Sequence, residues 1–535
     1  MVLVGLAAAQ ETGAPAKGVF GGTVTDAVTG QGLARAQVRL IAAGLGQQYQ
    51  TTTDGDGGFR FNALAGGIYE IQASRSGYAD AHSFAPKDGT AAASGFQLAG
   101  GQSITNARIA LEPEGTIAGR VMDEDGNPVP DASVAAIAER WQRGQRSYDL
   151  LSAHSTDADG TYQFRLAAGR YYVQASVRSN GAVPQTFVTE PGGLELKIGA
   201  VIYPNATDIQ GSTALEVAPG QQVTGIDFKL RAAPCYHVRG TVTGAARSVV
   251  FLRQRGAGMT MIYTGGATNI RPDGSFDIAG VLPGRYTLQS FPGTQIVVPV
   301  NVDVTDRDVT GVTMESFNHF DVSGHVEFDG SGERPAIEVD LSTVDAAQSD
   351  LGSSAYAKPD GSFTITGLPA RRFAVLLRGD QGLYVESATV GGRMPPDGLV
   401  DLTHGAVGPI EIVVAKGTGR VDGKVRLPDA APGKVAVPEI RVVLVRADGI
   451  TGNTGARSTG VDANGRFEFA PVPPGRWYVL ASPQFESGLW QNMDFVRAIA
   501  AEGAAVDVAD SGSVQVEVTL MPMASIRQAR DGVGR

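Results

Sequence analysis

The sequence predicts an all-β chain of five tandem β-sandwich domains, and three observations carry that expectation. Short runs of Val, Ile, Leu, Phe and Tyr are punctuated by 71 glycines and 28 prolines, the texture of strands and turns and not of long helices. The pattern apolar-x-Gly-x-Val recurs five times along the chain. An Asp-Gly or Asn-Gly turn followed by an aromatic recurs in step with it, which marks internal repetition.

Each unit opens with a strand: Phe20-x-Gly22-x-Val24, Ile117-x-Gly119-x-Val121, Val238-x-Gly240-x-Val242, Val322-x-Gly324-x-Val326 and Val421-x-Gly423-x-Val425. The period of two means one buried face. Glycine inside a strand weakens it, so its recurrence predicts close backbone approach or a bulge at that point.

The middle of each unit is a turn and an aromatic: Asp56-Gly-Gly-Phe59, Asp159-Gly-Thr-Tyr162, Asp273-Gly-Ser-Phe276, Asp360-Gly-Ser-Phe363 and Asn464-Gly-Arg-Phe467. Asp-Gly and Asn-Gly accept φ > 0, so these are hairpin turns. A second aromatic strand follows at Tyr69, Tyr171, Tyr286, Phe373 and Trp477, after Gly67, Gly169, Gly284 and Gly475; the fourth unit has Arg371 instead of the glycine, so its turn must differ.

Each unit closes with an alternating run: Ile109 and Leu111; Ile226, Phe228 and Leu230; Val312 and Met314; Ile410, Ile412 and Val414; Val514, Val516, Val518 and Leu520. The step between turn aromatics is about 85–115 residues, longer than a solenoid repeat, so each unit can be a domain. The division is residues 1–16, a signal-like tail; 17–113, 114–234, 235–316, 317–416 and 417–522, five sandwiches; and 523–535, a C-terminal tail. Short links favour a semi-rigid rod of beads on a string. The second unit carries a helix-compatible stretch at 134–148 and a long segment at 180–220, both expected as loop insertions, where surface function concentrates.

The order Gly-x-Val, Gly-x-Pro-Val-x-x-Ala-x-Val, Thr-x-x-Asp-Gly-x-Phe-x-Phe and Gly-x-Tyr-x-Val resembles the carboxypeptidase regulatory-like domain. The second unit matches best, through Gly126-Asn-Pro-Val129, Thr156-Asp-Ala-Asp-Gly160-Thr-Tyr162-Gln-Phe164 and Gly169-Arg-Tyr171-Tyr-Val173; the first follows through Gly32, Ala36, Val38 and the run Asp54 to Phe61. The resemblance implies a transthyretin-like (prealbumin-like, Ig-like, Greek-key) β-sandwich, grouped with carbohydrate-binding-like folds. It implies display, spacing or binding and not chemistry.

Composition narrows function further. With 55 acidic against 44 basic residues, a net charge of -11 and no Lys/Arg block, nucleic-acid binding is not expected. The single cysteine, Cys235, cannot form an intramolecular disulfide; a packed thiol, an intermolecular bridge and a reactive site stay open. The apolar start ending in Ala7-x-Ala9 resembles a secretory signal without its basic region, against which stands an ordinary apolar tail. No stretch has the roughly 20 apolar residues of a membrane span.

No catalytic residue, cofactor or metal centre is predicted. His82, His154, His237, His319, His325 and His404 show no zinc spacing, and no phosphate loop, dinucleotide fingerprint or nucleophile elbow is present. Asp54, Asp56, Asp157 and Asp159 are calcium candidates, with turn capping as the alternative. Related adhesin repeats carry a Lys–Asn crosslink, and Lys424 alone stands at a comparable place. Trp141, Tyr148, Tyr203 and Trp490 lie outside the repeating core pattern; they either stack on a ligand such as a sugar ring or cover a domain joint or a loop base. Trp477 occupies the repeated core position.

These observations lead to a secreted, non-catalytic structural or adhesive protein of the cell surface. Its expected partners are itself or other surface proteins, with fibres built by edge-strand pairing through a strand-like tail at 521–526 or the segment 10–17. A polysaccharide- or peptide-binding array is the alternative, and an accessory part of a secreted hydrolase system the third.

Overall fold

The structure, a computed structural model, describes residues 17–533 apart from 43–46, 83–95, 143, 178–186, 190–192, 194, 244–248, 256–265, 291–295, 298, 318–319, 330–335, 344–351, 370, 379–382, 394–398, 404–407, 427–439, 448–455, 462–464, 483–485 and 487. The tail at 1–16, with its signal-like stretch and most of segment 10–17, and the turn residue Asn464 lie outside the described residues. The chain is all-β, with β-sandwiches built from pairs of small sheets. It separates into two compact bodies: one holds the N-terminal sandwich with residues 164–169 and 216–224, the other holds the rest.

One plan repeats. In the first sheet of the N-terminal sandwich the opening strand Gly18–Asp26 lies antiparallel to the turn-aromatic strand Gly58–Leu64 and parallel to the closing strand Ser103–Leu111. The same pairing joins Tyr236–Thr243 to Ser275–Val281 and Val309–Phe317, and Phe320–Asp329 to Ser362–Leu368 and Ile410–Lys416. It recurs in Gly419–Arg426 with Arg466–Val472 and Ser513–Thr519. The opening strand Gly115–Met122 runs parallel to the short strands Gln222–Val223 and Phe228–Lys229. A parallel pair cannot be closed by a hairpin, so the chain between first and last strand must cross over. It does so by building the second sheet, centred on pairs such as Gln37–Ala42 with Gly67–Ser74, and Arg441–Arg446 with Gly475–Ser482.

The mid-strand glycines are explained by close approach to the parallel neighbour. A Cβ on Gly22 would stand 1.9 Å from the Ala107 carbonyl oxygen, and one on Gly119 equally near that of Ile226. Between the sheets lie the alternating apolar residues. In the last sandwich Val442, Leu444, Phe467 and Trp477 share one cluster, and each fully buried large side chain there contributes about 1.5–3 kcal/mol. The aromatic after the second turn also ties that turn down, by donating to the carbonyl four residues back: Tyr69 Oη to Ala65, Tyr286 Oη to Leu282 and Trp477 Nε1 to Pro473. Phe373 of the fourth copy has no such donor; there Arg371 offers its carbonyl to the Leu402 N–H at 2.8 Å.

Two expectations are corrected. The stretch 134–148 is not helical: Ser133–Gln142 and Gln145–Ser155 form a long antiparallel hairpin with a bulge at Ala136/Ile137. The first of these strands is buried on both faces, with Val134, Ala136 and Ile137 fully covered, so the alternation that marks a strand is hidden in it, while no residue of the second is buried. The tail at 521–526 is not a strand, because Pro522 (φ -65°) starts helix α2, Met523–Gly532. Proline's fixed φ suits the entry to a helix and removes a ladder donor. The segment between the last sandwich strands of the second sheet holds a further helix, α1, Met493–Ile499, preceded by the 3-10 turn Leu489–Gln491. No helix among the described residues is long and apolar enough to cross a membrane.

Candidate functional site

The aspartates come first, because turns are where carboxylates gather. Asp54 Oδ1 accepts from the Asp56 N–H at 3.1 Å and the Gly58 N–H at 2.7 Å. Asp157 Oδ1 accepts from Asp159 N at 3.0 Å and Thr161 N at 2.7 Å, and its Oδ2 from Thr161 Oγ1 at 2.5 Å. These bonds, led by that from the Thr161 hydroxyl, hold the Asp157 carboxyl below its ordinary range. The oxygens proposed for calcium thus cap their own turns, while Asp56 and Asp159 are exposed. Among the described residues no three His, Cys, Asp or Glu gather as metal ligands.

Thr53 and Thr156, four residues before the turn glycines Gly57 and Gly160, are the threonines of the Thr-x-x-Asp-Gly pattern, which does not itself say what their hydroxyls do. The buried Thr156 Oγ1 accepts from Ala132 N at 2.9 Å and donates to Val129 O at 2.7 Å. Thr53 does the same with Ala36 N at 2.8 Å and Leu33 O at 2.5 Å. Each hydroxyl stitches the loop before the second strand to the strand before the turn.

The four aromatics fall into two environments. Tyr148 meets Tyr172 edge-on at 5.4 Å between centroids, and Tyr203 meets Phe228 edge-on at 6.3 Å, both within the second sandwich. Trp141 and Trp490 meet in one buried cluster with Val443, Val445, Leu480, Phe495 and Ile526; their exposures are 4% and 5%. The expectation of rings open to a ligand is therefore corrected for the two tryptophans: they fill a joint between the second sandwich and the last. Contact is thus not restricted to neighbouring beads.

This joint is built from identifiable pieces. The last sandwich carries Val442-Val443-Leu444-Val445, in which alternate residues face the sandwich core and the remaining two face the helices. Asn492 caps α1 through Oδ1, which accepts from Phe495 N at 2.9 Å, and donates Nδ2 to the Gly144 carbonyl at 2.7 Å. Gly144, at the hairpin tip, donates its N–H to the Gly488 carbonyl at 3.1 Å. With φ +76°, and Gln491 O only 2.7 Å from where a Cβ would be, that position admits glycine alone without rearrangement.

Charges surround the apolar contact. Arg146 donates Nη2 to the carbonyls of Arg530 at 3.2 Å and Val533 at 3.0 Å, the C-terminal end of α2, where a cation complements the helix dipole. Arg170 pairs with Asp531 at 2.8 Å, and Arg530 with Glu486 at 2.7 Å. Below them Glu139, its side chain 2% exposed, faces Arg146 at 3.5 Å and Arg170 at 3.8 Å, and accepts from Tyr172 Oη at 3.4 Å. Burial pushes the Glu139 carboxyl up from its ordinary value, and the Arg146 and Arg170 guanidiniums pull it only part of the way back. Burial also acts to raise Asp531, but the bond from Arg170 and the charge of Arg530 outweigh it and leave that carboxyl low. Sequence inspection missed Glu139, Gly144, Arg146, Arg170 and Asp531. The available signal was the pair Glu139-Arg140 inside an apolar run next to a tryptophan.

A smaller polar joint links the second and third sandwiches. His237 places Nδ1 2.6 Å from Asp277 and Nε2 3.3 Å from Glu195, while Arg239 pairs with Asp277 and Asp308. Lys197 donates to the Gly280 carbonyl at 2.9 Å. Cys235 is buried and unbridged, and its burial pushes the thiol up, away from thiolate reactivity. Lys424 lies on the exposed face of its strand, opposite Glu517 and Arg466.

Residues 19–112 and 116–231 match the family model of the carboxypeptidase regulatory-like domain, so two such domains stand in tandem there. No curated protein matches the chain. Among solved structures it is similar to the Bacillus anthracis TIE protein, at 13% identity over 56% of this chain and 51% of that one, with a TM-score of 0.17. It is similar to the Streptococcal ancillary pilin at 12% identity, 56% and 99% coverage and a TM-score of 0.19. The same holds for BcpA, the major pilin subunit of Bacillus cereus, at 11%, 56% and 99%, with a TM-score of 0.15. The chain thus spans about half the length of the first of these. At superposition scores this low, no property of those proteins carries over.

Proposed function

We propose that this is a non-catalytic, extracellular structural or adhesive protein of the cell surface that associates with itself. The observation that supports it is the use made of the chain's aromatic and charged residues. Trp141, Trp490, Arg146, Arg170 and Asp531 join one sandwich to another, and the turn carboxylates cap backbone. Such residues suit a protein whose task is to hold domains in fixed register. The tandem regulatory-like domains, whose resemblance implies display, spacing or binding and not chemistry, support this reading.

The test is direct. Intact source cells are treated with a protease that cannot enter them, and the released material is followed with an antibody to the last sandwich. Loss of the signal from intact cells is expected, together with particles or filaments of the purified protein in negative-stain microscopy. Full protection in intact cells, or turnover of a substrate in a broad hydrolase screen, would overturn the assignment.

A further inference from the structure

We propose that the joint between the 133–155 hairpin and the C-terminal helices is an exchangeable docking interface, and that its partner is a second copy of this chain. The hairpin of one molecule seats in the helical groove of another by the same contacts it makes in its own. The proposal rests on the self-associating reading above and names its partner.

The joint has the anatomy of an association surface and not of a domain core. A tryptophan anchor, Trp141, sits in an apolar pocket of Val443, Leu480, Trp490 and Ile526, and the rim is charged, with Arg146 and Arg170 facing Arg530, Val533 and Asp531. Buried aromatic anchors ringed by polar pairs are where association energy concentrates. The fit also selects its occupant. The tip must be glycine, because a Cβ at position 144 would stand 2.7 Å from Gln491 O, and an arginine must reach the last carbonyls of α2. A second copy of the hairpin meets both demands by identity.

The two halves belong to sandwiches separated by two others in the sequence, so identical bonds form within one chain or between two. Within one chain the high effective concentration favours closure. Yet closure leaves the Trp141 indole N–H buried with no hydrogen-bond partner among the described residues, and Glu139 Oε1 buried with only its long ion pair to Arg146. Each such atom carries a desolvation cost that water repays on opening, which brings the open and closed forms together. An opened molecule displays a knob at one place and its matching hole at another, and a contact of that kind links molecules head to tail.

Complementation of two blocked chains tests it. Gly144→Glu removes the knob and leaves the hole; Ile526→Asp with Asp531→Arg removes the hole and leaves the knob. Each chain alone should sediment as a monomer at tens of micromolar, and the equimolar mixture should double in mass. A second pair guards against misfolding of the helix variant: Arg170→Asp in one chain and Asp531→Arg in the other should pair on mixing, whereas both changes in one chain should leave a monomer. A mixture that stays monomeric in both arms, with circular dichroism unchanged, overturns the exchange. Protease shaving reads surface display separately, so that outcome leaves the assignment to the cell surface standing.

Discussion

The Arg146 guanidinium lies 5.2 Å from the centroid of the Trp141 ring, so one arginine covers the anchor of the joint while its Nη2 caps helix α2 from another sandwich. Stacking on a desolvated indole contributes about 0.5–2 kcal/mol, and the bonds to the helix end are charge-assisted. Arg146→Lys keeps the charge but loses the planar fork. The docking should weaken by about 2 kcal/mol, roughly thirtyfold in the exchange rate of the α2 amides. Hydrogen exchange resolved at 523–533 checks this. Trp141 and Trp490 are two of only three tryptophans in the chain, so intrinsic fluorescence should shift to the red in the same variant. Unchanged protection of α2 would mean that the helix is held by its own sandwich alone.

Glu139 makes the joint depend on pH in an unusual sense. Its carboxyl is raised by burial in the folded state, so the folded protein takes up a proton before the unfolded chain does. Stability from this group is therefore lowest above the raised value and recovers as pH falls from there towards the ordinary 4.5. Asp531 is depressed and works oppositely: its contribution is present above the ordinary 3.8 and is lost as pH falls through its lower folded value. Glu139→Gln should match or exceed the parent in melting temperature at pH 7–8, with the difference shrinking towards pH 5. Asp531→Asn should melt lower at neutral pH and converge on the parent in strong acid. A Glu139→Gln variant that is less stable at every pH would reverse the sign assigned here.

The features legible in the sequence are the local ones. The mid-strand glycines and the Asp-Gly aromatics repeat within each unit because the constraint acts between strands of one sandwich: Gly22 against Ala107, and Gly119 against Ile226. The joint was hidden because it connects 133–155 to 486–533, and no local periodicity records a contact across that separation. Trp141 and Trp490 stand out as aromatics outside the core pattern, and a domain joint is among their expected places. What their sequence neighbourhood lacked was any sign that they meet each other. The hairpin's first strand was obscured for a related reason, since Ile137 packs against Tyr172, Ile202 and Ile209 in a cluster of its own, leaving no polar side to alternate. The tail at 521–526 is strand-like in sequence, but Pro522 and the burial of Met521 and Ile526 against the last sandwich select a helix.

The buried threonine hydroxyls make a prediction separate from the joint. Thr156→Val conserves shape and leaves the Ala132 N–H and the Val129 carbonyl without their partner. A buried polar group left unpaired costs about 1–3 kcal/mol. The midpoint of urea unfolding of the second sandwich should fall accordingly, and Thr156→Ser, which keeps the hydroxyl, should be spared most of the loss. Equal destabilisation by Val and Ser would assign the effect to the methyl group and not to the bond.

The last prediction concerns the glycine that defines the repeat. A methyl group on Gly22 would lie 1.9 Å from the Ala107 carbonyl oxygen and 2.8 Å from its Cα, and both belong to the parallel closing strand, which is itself held by the pairs Val24 with Ile109 and Asp26 with Leu111. The neighbour cannot yield by rotating a side chain, because the obstacle is backbone. Gly22→Ala must therefore part the opening and closing strands, at a cost of about 1–3 kcal/mol or more, as for any overpacked site. Gly55→Ala serves as the control within the same sandwich, since nothing lies within 4 Å of its added Cβ. Thermal unfolding of the two variants should show a drop of several degrees for the first and little change for the second. If both melt alike, the strands part without strain, and the recurrent glycine has to be explained by something other than the approach of its parallel partner.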